Sequence, residues 1–355
     1  MTHAYVLGIG GYSGAGKTTL IEKVLVNLKK EGLVVGVVKH TSHHKLSLDA
    51  DGKDTSRFYK AGADFVFACD DEQAFSRYPR RKADLDHVLG RLPVGLDLVL
   101  IEGFKASPGC RRCWLETART EARGVAGGQK PALVLYRDDP MHVKKLMNYI
   151  RRELNKFHSG RNLRAGLLMG GKSVRMGTSK SLLRIGSESL IERSFSTLSR
   201  ISSGTVLLGA GDLPSTLKAA GCLPDAPGAD GPLAGMLSAF RWDPGSTWII
   251  SAVDMPMMGV RAWNWLMKQR RPGVWAVLPR LDPESAAETT GACYEPMIFE
   301  YMEELARKGI FKLQAIARHP KVITPVIPRS LAASWKNVNT AAEWKEVLSK
   351  ISKMT

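Results

Sequence analysis

At 355 residues, 44% of them apolar and 24% charged, the chain is long enough for two domains and has the make-up of an ordinary soluble globular protein. No apolar run approaches the roughly 18 residues of a membrane span, the N-terminus enters a strand-like segment without a leader, and five cysteines, an odd number, suggest no disulfide framework; a cytoplasmic protein with no membrane partner is expected. The net charge of +17 invites a nucleic-acid reading, but the basic residues are scattered, with modest clusters such as 77–82, and no nucleic-acid-binding motif is present, so the charge is assigned to polyanionic small substrates.

Tyr5–Ile9 reads as a strand. Gly11 to Thr18, G-Y-S-G-A-G-K-T, then fits G-x-x-x-x-G-K-[ST], and Leu20, Ile21, Val24, Leu25 and Leu28 follow at helical spacing. In such a loop the glycines let backbone N–H groups wrap phosphates, Lys17 reaches the outer phosphates and the Thr18 hydroxyl can ligate Mg²⁺. The nucleotide-binding candidates here are Gly11, Ser13, Gly14, Ala15, Gly16, Lys17, Thr18 and Thr19. Val34–Val38 makes a second strand, ending near His40, His43 and His44, which read equally as a metal site or a polar loop. A helix opens around Asp54 as N-cap and runs toward Ala61. Leu96–Ile101 is a buried strand ending in Glu102, where an acid can hold Mg²⁺ directly or through water.

The glycine-rich loop, Val38-Lys39-His40-Thr41, Gly52-Lys53-Asp54 with Ala61-Gly62-Ala63, and Leu100 to Lys105 resemble the molybdopterin-guanine dinucleotide biosynthesis adaptor family, the GTP-binding MobB proteins. The resemblance spans about Tyr5 to Lys156. It is weakest from Ser107 to Lys130, a stretch that reads as polar and irregular. There Cys110 and Cys113 make a single C-x-x-C lacking two of the four ligands of a structural zinc. No bound metal is expected there, His43 and His44 being the partners one would need.

Helical periodicity over Val143–Leu154 gives way to a polar stretch, Asn155 to Asn162, taken as the joint between a first domain, 1–158, and a second, 163–355. Ala165–Met169 is a short apolar run suited to a buried parallel strand. It breaks into Gly170-Gly171, passes Ser173, Arg175, Met176 and Gly177, and reaches Lys180. Paired glycines after a strand let backbone N–H groups approach a polyphosphate, and Arg175 and Lys180 supply charge beside it. Farther on come a helix over Ser189–Leu198, a strand over Thr205–Leu208, Asp225, the turn Gly231-Pro232-Leu233-Ala234-Gly235-Met236 with its helix, and a buried strand, Trp248–Val253, closed by Asp254. A carboxylate at that strand end can hold Mg²⁺ against a triphosphate or simply close the strand. Near the end, Thr340 and Glu343 have capping-box spacing.

The string G-G-x-S-x-R-M-G-x-x-K resembles the signature of the molybdenum cofactor nucleotidyltransferases, and the likeness runs from about Arg164 to Leu348. It implies catalytic roles for Arg175, Lys180 and Asp254, the last also a metal ligand. It also implies nucleotide contacts from Leu168, Met169, Gly170, Gly171, Lys180, Asp225, Gly231, Gly235 and Asp254, and substrate contacts from Asn337 and Asn339. Met169 stands where the family usually has Ala, and Gly209 or Gly211 where some members have Asn.

The fold expected is α/β, a P-loop NTPase-like domain followed by a Rossmann-like nucleotidyltransferase domain, each of three layers. The resemblances imply a molybdenum cofactor guanylyltransferase using GTP, Mg²⁺ and molybdopterin cofactor, with Thr18 and Glu102 holding metal in a fused GTP-binding accessory. The alternatives are the cytidylyltransferase and a non-catalytic GTP-switched adaptor. Molybdoenzyme apoproteins or other cofactor-biosynthesis proteins are the partners implied. Oligomeric state stays open, a dimer through the P-loop half included.

Overall fold

The computed structural model describes residues 4–40, 54–63, 66–77, 85–104, 110–118, 130–170 and 180–352. The chain divides into two compact units, the first drawn mainly from residues up to Tyr149 and the second from Ile150 onward.

The first unit runs β1 (Tyr5–Gly11), α1 (Lys17–Lys30), β2 (Val35–Lys39), α2 (Asp54–Lys60), β3 (Val66–Cys69), β4 (Ala74–Arg77), α3 (Leu85–Leu89), β5 (Leu98–Glu102), β6 (Arg111–Glu116), β7 (Leu133–Tyr136) and into α4 (His142–Ser159). Its main sheet has the order β2-β5-β1-β6-β7, and every neighbouring pair is parallel. Leu98 to Ile101 are all buried, as a strand covered on both faces requires. The register sets Ile9 of β1 opposite Glu102 of β5, so the turn after β1 and the acid closing β5 meet at one carboxyl edge. β3 and β4 form a separate antiparallel hairpin.

Two sequence expectations change here. The stretch read as irregular contains β6, which pairs with β1 on one side and β7 on the other. Its Arg112 and Trp114 lie over Gly8 and Gly10 of β1, where a Cβ would come within 2.9 and 2.5 Å of those side chains. Arg112 donates to the carbonyls of Gly103, at 3.0 Å, and Phe104. Arg112 thus belongs to a strand because Gly8 opposite makes room and two carbonyls take up its guanidinium. Cys110 and Cys113 are both buried, the second on β6, and no cluster of three metal-ligating residues occurs among the described residues. His43 and His44 lie outside the described residues. The second change concerns α4, which continues through the polar stretch to Ser159. Glu153, Leu154 and His158 are buried on it, so the polar residues there are one helix's solvent face.

The second unit adds β8 (Leu163–Leu168), β9 (Arg184–Ile185), β10 (Glu188–Ser189), α5 (Leu190–Ser199), β11 (Gly204–Leu208), β12 (Cys222–Leu223), α6 (Pro232–Trp242), β13 (Thr247–Ala252), α7 (Val260–Met267), β14 (Ala276–Val277), β15 (Ala292–Tyr294), α8 (Phe299–Arg307), β16 (Val322–Ile323) and α9 (Ala341–Ser352). Seven strands form a sheet ordered β12-β11-β8-β13-β15-β14-β16. The first four are mutually parallel, and β15 runs antiparallel to β13 and β14. Alternation along β8 separates the two cores: Leu168 packs with Phe240 of α6 and Met302 of α8, while Leu167 packs with Ile191 of α5 and Trp263 of α7. This is the helix–sheet–helix arrangement expected of a Rossmann-like domain. Ser189 and Glu192 form a reciprocal capping box that starts α5.

Candidate functional site

In the second unit, the carboxyl ends of β8, β11 and β13 lie side by side, and the predicted residues collect there. Met169 extends β8 by donating its N–H to Leu208 O at 3.1 Å, and Val253 donates to Leu168 O at 3.2 Å. Gly170 turns the chain away with φ of 81°, a conformation that glycine adopts without the Cβ penalty. Gly171, Ser173, Arg175, Met176 and Gly177 lie outside the described residues. The chain returns at Lys180, in a short 3-10 turn, Lys180–Leu182.

Lys180, Asp254 and Asn339 come together from three distant parts of the chain. Lys180 Nζ donates to Asn339 Oδ1 at 2.8 Å and stands 3.7 Å from Asp254 Oδ2. The Asp254 carbonyl accepts the Val338 N–H at 2.9 Å, tying the Asn337–Thr340 segment to the strand end. That segment is fixed from its other side too. Glu343 Oε2 accepts the N–H groups of Asn339 at 2.7 Å and Thr340 at 2.9 Å, and Thr340 Oγ1 accepts from Glu343 N. The capping box expected from the spacing therefore also braces the loop that carries Asn339. Asn337 Oδ1 is buried and has no hydrogen-bond partner among the described residues.

Asp225 faces Gly209: a Cβ on Gly209 would lie 3.3 Å from Asp225 Oδ1. An asparagine there would crowd that carboxylate. Gly231 caps α6 with φ of 61°, leaving the helix N-terminus open at its first turn. Gly235 has a structural reason of its own, because a Cβ there would meet Leu168 Cδ2 at 2.9 Å. It lets α6 lie close on the sheet.

Burial raises the Asp254 carboxyl above the usual carboxylate range, and the Lys180 ammonium opposes that rise. The carboxylate is accordingly lost on acidification sooner than an exposed aspartate would lose it. Removing the opposing cation in Lys180→Met is expected to lift the Asp254 pKa further, read from carboxyl carbon shifts by NMR. An unchanged value would mean that the two groups do not sense each other.

In the first unit, Thr18 Oγ1 donates to Glu102 Oε2 at 3.1 Å, and Lys39 Nζ lies 3.7 Å from the same oxygen. Lys17 Nζ donates to Tyr12 O within the loop at 2.8 Å. Gly11 is required: a Cβ would sit 2.5 Å from Leu115 O. Ser13 and Gly14 are exposed, Ala15 is buried and α1 begins at Lys17, with Thr18 and Thr19 exposed on its first turn. Sequence reading missed Arg137, one residue beyond β7. Its Nη1 donates to Gly14 O at 3.3 Å, and its backbone N–H to Glu116 O. The available signal was its place at a strand's carboxyl end.

Residues 6–135 match the family model described as molybdopterin guanine dinucleotide synthesis protein B, MobB. Residues 165–338 match that of the MobA-like NTP transferase domain. A molybdopterin-guanine dinucleotide biosynthesis adapter protein of Haemophilus influenzae is 43% identical over 105 residues, 29% of this chain and 58% of that protein. The chain thus spans less than two thirds of the length of that adapter relative. A probable molybdenum cofactor guanylyltransferase of Carboxydothermus hydrogenoformans is 29% identical over 53% of this chain and 95% of its own length. The crystal structure of molybdopterin-guanine dinucleotide biosynthesis protein A from Archaeoglobus fulgidus aligns with a TM-score of 0.46 at 23% identity, over 54% of this chain and 99% of that one.

Proposed function

From a chain that joins a MobB domain to a MobA-like NTP transferase domain, we propose a molybdenum cofactor guanylyltransferase with a GTP-binding accessory unit. The observation that carries the reading is the convergence of Lys180, Asp254 and Asn339 at the carboxyl edge of the second sheet. In the reaction, an oxygen of the terminal phosphate of molybdopterin cofactor attacks the α-phosphorus of GTP. The bond from that phosphorus to the β-phosphate oxygen breaks, and pyrophosphate leaves with the electron pair. Lys180 is placed to offset charge on the phosphates, and Asn339 holds its ammonium in position. Asn337 and Asn339 are assigned to the pterin substrate. Arg175 is assigned to the leaving phosphates by its place in the glycine-rich string.

Asp254 is a single carboxylate at a strand end, and Mg²⁺ is commonly held by one or two carboxylates together with substrate phosphates. The residues fit that ion, with Thr18 and Glu102 the corresponding pair in the first unit. Bound there, the ion would polarise phosphoryl oxygens and offset negative charge.

The test uses the full chain with Mg²⁺ and molybdopterin cofactor, offers GTP and CTP in parallel, and follows pyrophosphate release. Release with GTP supports the guanylyltransferase, preference for CTP moves the protein to the cytidylyltransferase, and silence with both leaves an adaptor. Lys17→Ala is expected to weaken GTP binding to the first unit by at least about tenfold, since a charge-assisted phosphate contact is removed. Guanylyl transfer should stay within about threefold of wild type. Equal losses of both would mean that the two nucleotide sites are not separate.

A further inference from the structure

A pocket of about 460 Å³ opens in the second unit between the last turns of α4 and the segment that follows α7. Arg152, Asn155, Lys156 and Ser159 line it from the helix, Arg270 and Arg271 line it from the other side, and Met267 and Pro272 add apolar wall. No carboxylate lines it. The nearest acids are turned to other work. Glu153 is buried and takes Arg152 and Lys156 at 3.2 and 3.3 Å, and Glu295 takes Arg270 and Arg161 at 2.6 and 3.2 Å. Asp97, also buried, accepts from Gly273 N at 3.2 Å, so three buried carboxylates stand near five cations, Arg152, Lys156, Arg161, Arg270 and Arg271, and Arg271 makes no ion pair among the described residues.

Arg270 is the built part of this pocket. Its side chain is 10% exposed. Nε donates to Glu295 Oε1 at 2.6 Å, while Nη2 donates to Thr247 Oγ1 at 2.9 Å and His158 O at 3.3 Å. Nη1 makes no hydrogen bond among the described residues, yet the residue lines the pocket. A guanidinium locked on two edges with its third nitrogen left over is a preorganised donor. The end of α4 would ordinarily repel an anion through its free carbonyls. Here Lys156 O accepts from Gly160 N, and His158 O from Arg161 N and Arg270, so that repulsion is reduced.

The pocket is remote from the chemistry. Thr247 opens β13 and contacts Arg270, whereas Asp254 lies beyond that strand's other end. Six residues at roughly 3.3 Å each put about 20 Å between the two. A molecule held here is not the reacting nucleotide.

We infer that this pocket is a second anion site, built for a small phosphoryl-bearing molecule, with Arg270 as its floor and Lys156 and Arg271 at its mouth. Its volume is in the range of small-molecule sites and exceeds what a lone phosphate ion needs, which points to a pyrophosphate-sized or larger anion. Charge excess beside a partly apolar wall favours phosphoryl groups over a neutral ligand.

The test is calorimetric binding of inorganic pyrophosphate to the full chain carrying Lys17→Ala, Lys180→Ala and Asp254→Ala, so that both nucleotide sites are disabled. One pyrophosphate per chain is expected to bind, with orthophosphate weaker and GMP reporting whether a nucleotide phosphate is admitted. Adding Lys156→Glu and Arg271→Glu should weaken binding at least tenfold. Both side chains are exposed, and unchanged melting would verify that the fold survives. In an otherwise wild-type chain the same two reversals should leave guanylyl transfer within twofold. No binding in the disabled background, or binding indifferent to the reversals, would overturn the inference. Neither result depends on whether the second unit transfers guanylyl groups.

Discussion

Alanine at Asp254 is expected to abolish nucleotidyl transfer, and alanine at Lys180 to lower it by at least about 100-fold, the scale seen when a preorganised charge-stabilising group is removed. The two residues contribute differently. Asp254 is a raised carboxyl half-sheltered at a strand end, and without it nothing else among the described residues at this edge offers an anionic metal ligand as close to Lys180. Lys180 is held by Asn339 at 2.8 Å, so its ammonium is placed before substrate arrives. Lys180→Arg should not restore the rate, because a planar fork does not occupy the position of a compact point charge. Neither alanine variant should unfold the unit. The bond that ties Val338 to residue 254 uses the backbone carbonyl, which alanine keeps. Pyrophosphate release from the full chain, with melting temperature as the control, is the measurement. If both variants kept transfer within a few-fold, Lys180 and Asp254 would not be the residues that carry it.

Asn339→Ala separates positioning from chemistry. It removes the acceptor that orients Lys180 without removing the charge, so it is expected to cost less than Lys180→Ala, on the order of tenfold, consistent with a single hydrogen bond to a charged group.

What was legible in the sequence was local. The P-loop was readable because strand, glycine turn and helix are contiguous, and Glu102 because an acid ends an apolar run. Lys180 and Asp254 stood out at the ends of recognisable segments. Their contact with Asn339, which is 159 positions from Lys180, is a product of the fold. β6 was invisible for a physical reason: Arg111, Arg112 and Glu116 mask the apolar run, and the glycines that accommodate Arg112 and Trp114 lie on β1. Helix α4 looked finished at Leu154 because its last turn carries few apolar residues, although His158 is buried there. Arg137 carries no motif, and only the register of β6 with β7 sets it beside the phosphate loop. Two-residue strands such as β14 and β16 are too short for any periodicity.

The same second unit contains a buried carboxylate, and its removal is the largest stability effect expected. Glu295 is 2% exposed. It takes Arg270 at 2.6 Å, Arg161 at 3.2 Å and the Thr247 hydroxyl at 2.7 Å. Burial alone would raise its pKa, but Arg270, His158 and Arg161 together hold it below the usual value. Glu295→Ala strands two guanidinium groups that are 10% and 6% exposed, and breaking such a buried pair costs about 3–5 kcal/mol. Against a typical stability of about 5–15 kcal/mol, that is a large fraction of the total. Beside it, His158 is held neutral, its pKa lowered to about 4, by burial first and then by Arg270 and Arg161, with Glu295 pulling the other way. A depressed pKa means stability that is complete above the unfolded value of 6.5 and is lost as pH falls toward 4. At about 1.4 kcal/mol per pH unit, that loss is on the order of 3 kcal/mol. Glu295 shifts in the same sense at lower pH, so acid weakens this unit through both groups. Seven of the eight tryptophans, all except Trp114, follow Ile150, so urea unfolding read by tryptophan fluorescence reports mainly on the second unit. Glu295→Ala should lower its midpoint sharply at pH 7.5, and His158→Gln should flatten the pH dependence between 6.5 and 4. A cost below about 1 kcal/mol for the first, or an unchanged slope for the second, would show that this network is solvated in a way its burial does not indicate.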